Sequence, residues 1–316
     1  MDRKFMLLHV QEESPRKLKN MHVPNYPSMC LFHPSMYEDK IIVAYRAPGM
    51  VETEAPTSEL EIPLVPTTFT NLKTVDVDMH HSATIAYDMG DKFNNWFSKH
   101  FGFKVIFVYY GGNTRQVLGN LPGRPATDTP KPRSSISRII GNVPIIGPML
   151  APDDEVIAFN DCAPYLVITE KSSEDVSARL PDDVEMDITK FRANIVLKGS
   201  PTAFDEDYWG ELLLGDNARI ILTANCGRCV SLNVDYETGE VGTGRAGGVL
   251  KLLAKNRRVD PGMKYSPIFG RYGFLSKPSQ GKVLSVGDQV VVSRRLDERT
   301  IFCKCFFSLV NHVVND

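Results

Sequence analysis

From Gly111 to Glu155 the chain reads GGNTRQVLGNLPGRPATDTPKPRSSISRIIGNVPIIGPMLAPDDE. So dense a mixture of Gly, Pro, Ser and Thr supports neither a long helix nor a regular strand. It divides the sequence into two stretches built from short apolar runs. A chain of 316 residues is long enough to bury a core on each side. We therefore expect a strand-rich domain over 1–110, a linker over 111–150, a second strand-rich domain over 151–295 and an atypical tail over 296–316.

In the first part, KFMLLHV (4–10), SMCLFHP (28–34), KIIVAYR (40–46) and KVIFVYY (104–110) read as strands bounded by polar or Pro-containing segments. DKFNNWFSKHFG reads as a helix, with Phe93, Trp96, Phe97 and His100 on one face, Asp91 as cap and Gly102 as stop. His80 and His81 are adjacent, so on a strand they face opposite sides and read as surface and core neighbours rather than a metal pair. In the second part, APYLVITE (163–170) is a buried strand, and SSED at Ser172 is a capping-box-like helix start with Asp175 in the Glu position. FRANIVL (191–197) reads as a strand, DEDYW (205–209) as a solvated acidic turn over Trp209, and GGVLKLLAKNRR (247–258) as a helix with basic residues in its last turn. VLSVGDQVVVS (283–293) reads as a hairpin turning at Gly287-Asp288. Many strands with a few short helices predict a mainly β fold with some α, a β-barrel decorated by helices.

Composition narrows the function. The hydrophobic and charged fractions, 42% and 23%, are those of a globular protein, and the formal net charge of −2 gives no general attraction to nucleic acid. The opening MDRKFMLLHVQEESP lacks the apolar core of a secretory signal, and no run approaches the ~18 apolar residues of a spanning helix. Six scattered cysteines do not make a disulfide scaffold, so we expect an intracellular, reducing setting, cytoplasmic or mitochondrial.

The chemistry-bearing motif is NCGRC (225–229). Cys226 and Cys229 fit half of a structural zinc site, but the remaining pair would have to be the closely spaced Cys303 and Cys305, or Cys162 with a distant His. A dithiol redox pair needs a strand-to-helix setting, whereas VSLNVDYETGE reads as strand and turn. Two cysteines packed as small hydrophobes are a third reading. Arg228 beside the thiol favours a thiolate, the form that binds soft metals. Arg192 and Asn194, two apart on an expected strand, and Arg3 near the start add donors suited to phosphate. Such a set suits a ligand with a soft metal at one end and a phosphate at the other, as molybdopterin has.

In order, FNDCAPYLVITEKSSEDVSARL, FRANIVL, AFDEDYWGELLLGD, NCGRCVSLNVDYETGE, SPIFGRYGFL and VGDQVVV resemble the MOSC domain over about residues 155–295. This family includes the C-terminus of molybdenum cofactor sulfurases and the mitochondrial amidoxime-reducing component. The first part resembles the β-barrel domain that precedes MOSC in those proteins. The resemblance implies the molybdenum cofactor as prosthetic group, with Cys229 as catalytic metal ligand and Arg228 as a cofactor contact. It implies Arg192 and Asn194 at the pterin-phosphate end, and Arg3 on the phosphate side. Cys226 matches a position that is often Cys but is not the ligand. The implied activity is reduction of small N-hydroxylated compounds, with electrons from a cytochrome b5-like haem protein and an NADH-dependent flavoprotein reductase. A non-catalytic cofactor or sulfur carrier, or an inactive fragment, is the alternative; the sulfurases bring a family-level association with pyridoxal phosphate. Two departures stand out. The strand and Lys-Ser loop that precede DRKF in the family are expected to be missing, and the tail exceeds the usual end of the domain.

Overall fold

A computed structural model describes residues 3–13, 17–50, 54–68, 71–117, 119–122, 155–181, 185–243 and 246–302. The architecture is mainly β with few helices, as the pattern of short apolar runs predicts. In the first part the strands are β1 (Phe5–Gln11), β2 (Lys17–Asn20), β3 (Phe32–Tyr37), β4 (Lys40–Tyr45), β5 (Ser58–Pro63), β6 (Thr74–Met79), β7 (Ser82–Asp88) and β8 (Val105–Tyr109), with helix α1 (Asp91–Phe101) before β8. Five of them form a sheet in the order β2-β1-β8-β7-β6, which curls into a nearly closed barrel; β3-β4-β5 form a separate antiparallel sheet.

Alternation in β6 is strict. Val75, Val77 and Met79 turn inward to meet Leu8, Val10, Ile106 and Val108, while the intervening residues are exposed. Helix α1 lays Phe97 and the flanks of Phe93 and Trp96 against the other face of β8. Its polar side chains also serve the strand: Asn94 Oδ1 accepts from the Phe107 N–H at 2.8 Å, and Ser98 Oγ from Val105 N–H at 2.8 Å. The helix stops at Gly102 in the left-handed conformation, as expected, but its N-cap is Gly90 and Asp91 lies inside the first turn. His80 and His81 do not lie on a strand. They form the two-residue turn between β6 and β7, with φ of 56° and 70°, and both are exposed. Positive φ at both central positions is what such a turn demands, and Asp78 Oδ1 supports it by accepting from His81 N–H at 2.9 Å.

Most of the Gly/Pro-rich stretch falls outside the described residues. Its beginning forms β9 (Arg115–Gln116), which pairs antiparallel with β10 (Val156–Ile157) beyond the stretch. The second part then supplies β11 (Tyr165–Thr169), helix α2 (Glu170–Ser177), β12 (Ile195–Leu197), β13 (Trp209–Leu214), β14 (Ala218–Gly227), β15 (Val234–Asp235), β16 (Glu240–Val241), helix α3 (Val249–Ala254), β17 (Ile268–Leu275) and β18 (Val290–Arg295). Its main sheet runs β12-β11-β17-β14-β13-β18 and forms a half-barrel, with only β11 and β12 parallel.

Several local expectations change here. Helix α2 begins earlier than Ser172: Thr169 is the cap, its Oγ1 accepting from Ser172 N–H at 3.1 Å. FRANIVL is a strand only from Ile195; Ile188–Phe191 form a 3-10 turn that ends at Arg192 with φ 55°. Arg192 and Asn194 therefore do not share a strand face. The stretch 247–258 is α-helical only over Val249–Ala254, after a 3-10 turn Ala246–Gly248, and beyond it Arg257 turns inward to an acidic partner instead of continuing an exposed helix. Gly287-Asp288 is a turn but not a hairpin, since β18 pairs with β13.

The acidic run 205–209 is not solvated. Glu206 and Asp207 are both 0% exposed, beside a buried Trp209. Arg257 Nη2 donates to both Asp207 oxygens, at 2.8 and 2.9 Å, and Asp207 Oδ2 accepts a third bond from Arg299 Nε at 2.8 Å. Glu206 Oε2 accepts from Ser172 Oγ at 2.8 Å and Thr169 Oγ1 at 3.1 Å, and burial pushes its carboxyl above the usual range. The tail's first residues, 296–302, join this interior: Arg271, fully buried, bonds Asn225 Oδ1 at 2.6 Å and Thr300 Oγ1 at 2.8 Å. The remainder of the tail, with Cys303 and Cys305, and residues 123–154 of the Gly/Pro-rich stretch lie outside the described residues.

Candidate functional site

Strand β14 delivers the NCGRC segment to one end of the half-barrel. Its pairing with β17 shifts register between Asn225 and Gly227, so the regular alternation breaks there. Space at Gly227 is tight: a Cβ would lie 2.8 Å from Met263 Sδ and 3.3 Å from Ser266 Cβ, so a larger residue there would have to displace the Met263 side chain. Arg228 N–H then donates to Pro267 O at 2.8 Å, and Cys229, extended at φ −124°, caps the 3-10 turn Val230–Asn233.

The two cysteines thereby face opposite ways. Cys226 is 2% exposed and packs among Leu166, Phe191, Leu232 and Phe269. Cys229 is exposed, its Sγ 3.2 Å from Ser231 Oγ. Two sulfurs so oriented do not bind one metal together. Among the described residues no group of three Cys, His, Asp or Glu side chains converges as a metal site.

Arg228 is 8% exposed and its guanidinium points inward. Nη1 donates to Cys226 Sγ at 3.1 Å; Nη2 donates to the Phe191 carbonyl at 2.9 Å and to that of Lys190 at 3.4 Å. The cation also lies 5.4 Å from the Phe191 ring centroid, and that ring stacks on Phe269 at 3.7 Å. The residue after Phe191 is Arg192, so the loop carrying Cys229 is tied directly to the segment that presents Arg192.

Arg192 is exposed and held in the left-handed region. No carboxylate lies within ion-pair distance of it among the described residues. Its charge is felt by His22, Cys30 and Tyr236. Burial pushes the Cys30 thiol up to about 11 and the Tyr236 hydroxyl up to about 12, so both neighbours are neutral at physiological pH. Asn194 is occupied by the backbone. Its N–H donates to Leu166 O and its Oδ1 accepts from Leu166 N–H, each at 2.9 Å, extending the β11–β12 ladder by one residue.

Arg3 precedes β1 and reaches across to Asp161, Nη1 to Oδ2 at 3.3 Å, while its carbonyl accepts from Phe159 N–H at 3.1 Å. Asp161 and Arg192 both act on His22, whose pKa is lowered by burial and by His80, the ring stacked 6.1 Å away. Arg3, through Asp161, and Arg192 thus both border the region around His22. Between the two parts, Gly239, at φ +67°, has room for no Cβ against Leu31 Cγ at 2.8 Å.

Sequence reasoning did not single out Asp161, His22, Tyr236 or Arg115, and named Cys162 only as a possible zinc ligand. Arg115 is buried inside the stretch read as linker; its Nε donates to Ala158 O at 2.9 Å, and its Nη2 donates to the carbonyls of Asn160 and Asp161, fixing the loop that presents Asp161. Burial pushes the Cys162 thiol up to about 12, which suits packing rather than reactivity. A lone Arg in a Gly-rich stretch carries no local signal of such a role.

Comparison with known proteins adds to this geometry. The MOSC domain model matches residues 154–291. The human mitochondrial amidoxime-reducing component 1 is 35% identical over 149 residues, covering 46% of this chain and 41% of that protein. The zebrafish (Danio rerio) protein of the same name is 36% identical over 141 residues, covering 45% and 40%. The rat mitochondrial amidoxime reducing component 2 is 38% identical over 138 residues, covering 42% and 38%. The alignments thus span about two fifths of the length of these relatives. Exposed Cys229, buried Cys226 and the tie to Arg192 all fall inside the matched segment, and residues 154–291 of this chain form a MOSC domain.

Proposed function

We propose that the chain is a molybdenum-cofactor-dependent oxidoreductase that reduces N-hydroxylated compounds, with the Cys229 thiolate as metal ligand. One observation carries the reading: an exposed thiol at the end of β14 is tied by Arg228 to the segment presenting Arg192, a guanidinium without a carboxylate partner among the described residues. The donor set fits a ligand that is soft at one end and anionic at the other.

Cys229 would hold the metal from the protein side, and Arg192 with Arg3 would neutralise the phosphate end. Asn194 would act by keeping Arg192 in place through its two bonds to Leu166. When bound, the cofactor would supply two-electron oxygen-atom-transfer chemistry, by which an N–OH group would become N–H and its oxygen leave as water, with two electrons from an external donor and two protons from solvent. A cytochrome b5-like haem protein served by an NADH-dependent flavoprotein reductase is the donor pair we propose. The names of the aligned relatives, which describe amidoxime reduction, support this substrate class.

The test is metal analysis of the purified protein followed by benzamidoxime reduction with an artificial electron donor. Molybdenum with turnover, and loss of turnover in a folded Cys229→Ala variant, is the expected result. Full activity in that variant removes Cys229 as ligand; bound cofactor without turnover makes the chain a carrier.

A further inference from the structure

The Arg228 side chain does not reach outward to the surface on which Cys229 lies. It is consumed by a sulfur and two carbonyls in the interior: Cys226 Sγ at 3.1 Å, Phe191 O at 2.9 Å and Lys190 O at 3.4 Å. Each acceptor belongs to a segment that ends in a site residue. Cys226 leads through Gly227 to Cys229, and Phe191 leads to Arg192. A planar fork of donors fixes both distance and angle between the segments it joins, which a point charge on a flexible stem does not.

We propose that Arg228 is a positioning residue: with Cys226 as its anchor, it sets the separation of the Cys229 thiol from the Arg192 guanidinium without itself touching the ligand. Arg192 needs such support. Its left-handed backbone conformation is unfavourable for a residue with a Cβ, and its own N–H bond reaches back only to Thr189 O at 2.8 Å. Cys226 gains a role that its burial alone does not indicate. Its polarisable sulfur accepts the Nη1 bond while its surface packs against Phe191 and Phe269. The consequence for a bound cofactor rests on the proposed function; the coupling of the two segments does not.

The experiment compares the full chain with Arg228→Met, Arg228→Lys, Cys226→Ala and Cys226→Ser by hydrogen-exchange mass spectrometry and by molybdenum retained on desalting. In Arg228→Met, amides over 188–194 and over 228–232 should lose protection together, while the sheet β2-β1-β8-β7-β6 keeps its own. Retention should fall roughly 10–100-fold, the usual cost of losing a group that orients ligands. Arg228→Lys should recover only part of this, and Cys226→Ser more than Cys226→Ala. Loosening of 228–232 with 188–194 unchanged would overturn the proposal, as would joint loosening with retention intact in a wild type that does bind molybdenum. If the wild type binds none, yet both segments loosen together in Arg228→Met, the coupling stands and the proposed function fails.

Discussion

The two main sheets bury different kinds of side chain. In the five-stranded sheet the interior is Leu8, Val10, Val75, Val77, Met79, Ala86, Ile106 and Val108, and Ser82 is the one buried polar side chain on its described strands. The six-stranded sheet hides Glu206, Asp207, Asn225, Arg228, Arg257, Asp260 and Arg271 in or beside an equally apolar core. An apolar interior holds regular strands in register but directs no irregular backbone. Buried charges and amides do so, because each must find its partner. They gather where β14 bulges and the chain turns out to Cys229, and Asn225 and Arg228 flank that bulge. The first sheet is a packed platform, and the second is a platform with a shaped end.

This contrast predicts unequal responses to substitution. Asp207→Asn should have the largest effect, about 3–5 kcal/mol of stability in denaturant unfolding, because it leaves the buried guanidinium of Arg257 without its carboxylate and also removes the partner of the half-buried Arg299. A loss below about 1 kcal/mol, the size of an ordinary point substitution, would erase the distinction between the sheets. Ile106→Val in the first sheet should cost about 0.5–1.5 kcal/mol, a trimmed methyl in an interior where cost scales with volume. The smallest effect is visible only as a pH slope. Glu206 binds its proton more tightly folded than unfolded, since burial dominates over its bonds from Ser172 and Thr169, and neighbouring Asp207 adds to the rise. Its favourable contribution is therefore full below the unfolded value of 4.5 and fades as pH rises through the folded value. Glu206→Gln, neutral throughout, should flatten the decline of stability above that pH. An unchanged slope would mean the carboxyl is ionised in the fold.

Much of the platform is legible in the sequence. The strands Phe5–Gln11, Lys40–Tyr45, Val105–Tyr109 and Tyr165–Thr169, and the helix Asp91–Phe101 with its Gly102 stop, carry their periodicity and punctuation locally. The shaped end is not. FRANIVL reads as a strand from its apolar tail, yet Arg192 is turned into the left-handed region by a 3-10 turn whose cap, Asp187, lies outside the motif. DEDYW reads as a solvated turn because acidic residues prefer water, and nothing local announces Arg257 and Arg299, some 50 and 92 positions away, as partners. Thr169 ends a strand and caps a helix at once, so local pattern points instead to Ser172, whose hydroxyl is taken by Glu206.

Side-chain periodicity, turn residues and the order of motifs determined that this chain would be mainly β and singled out NCGRC as its candidate chemical segment, because those signals act over a few neighbouring residues. Only the tertiary structure decided that Cys226 faces the core and Cys229 the surface, that Arg228 spends its donors on Phe191 and Lys190, and that Arg3 meets Asp161. Those outcomes depend on which distant groups share a buried space. Burial makes an unmet donor or an unpaired charge costly enough to override what each segment would prefer alone.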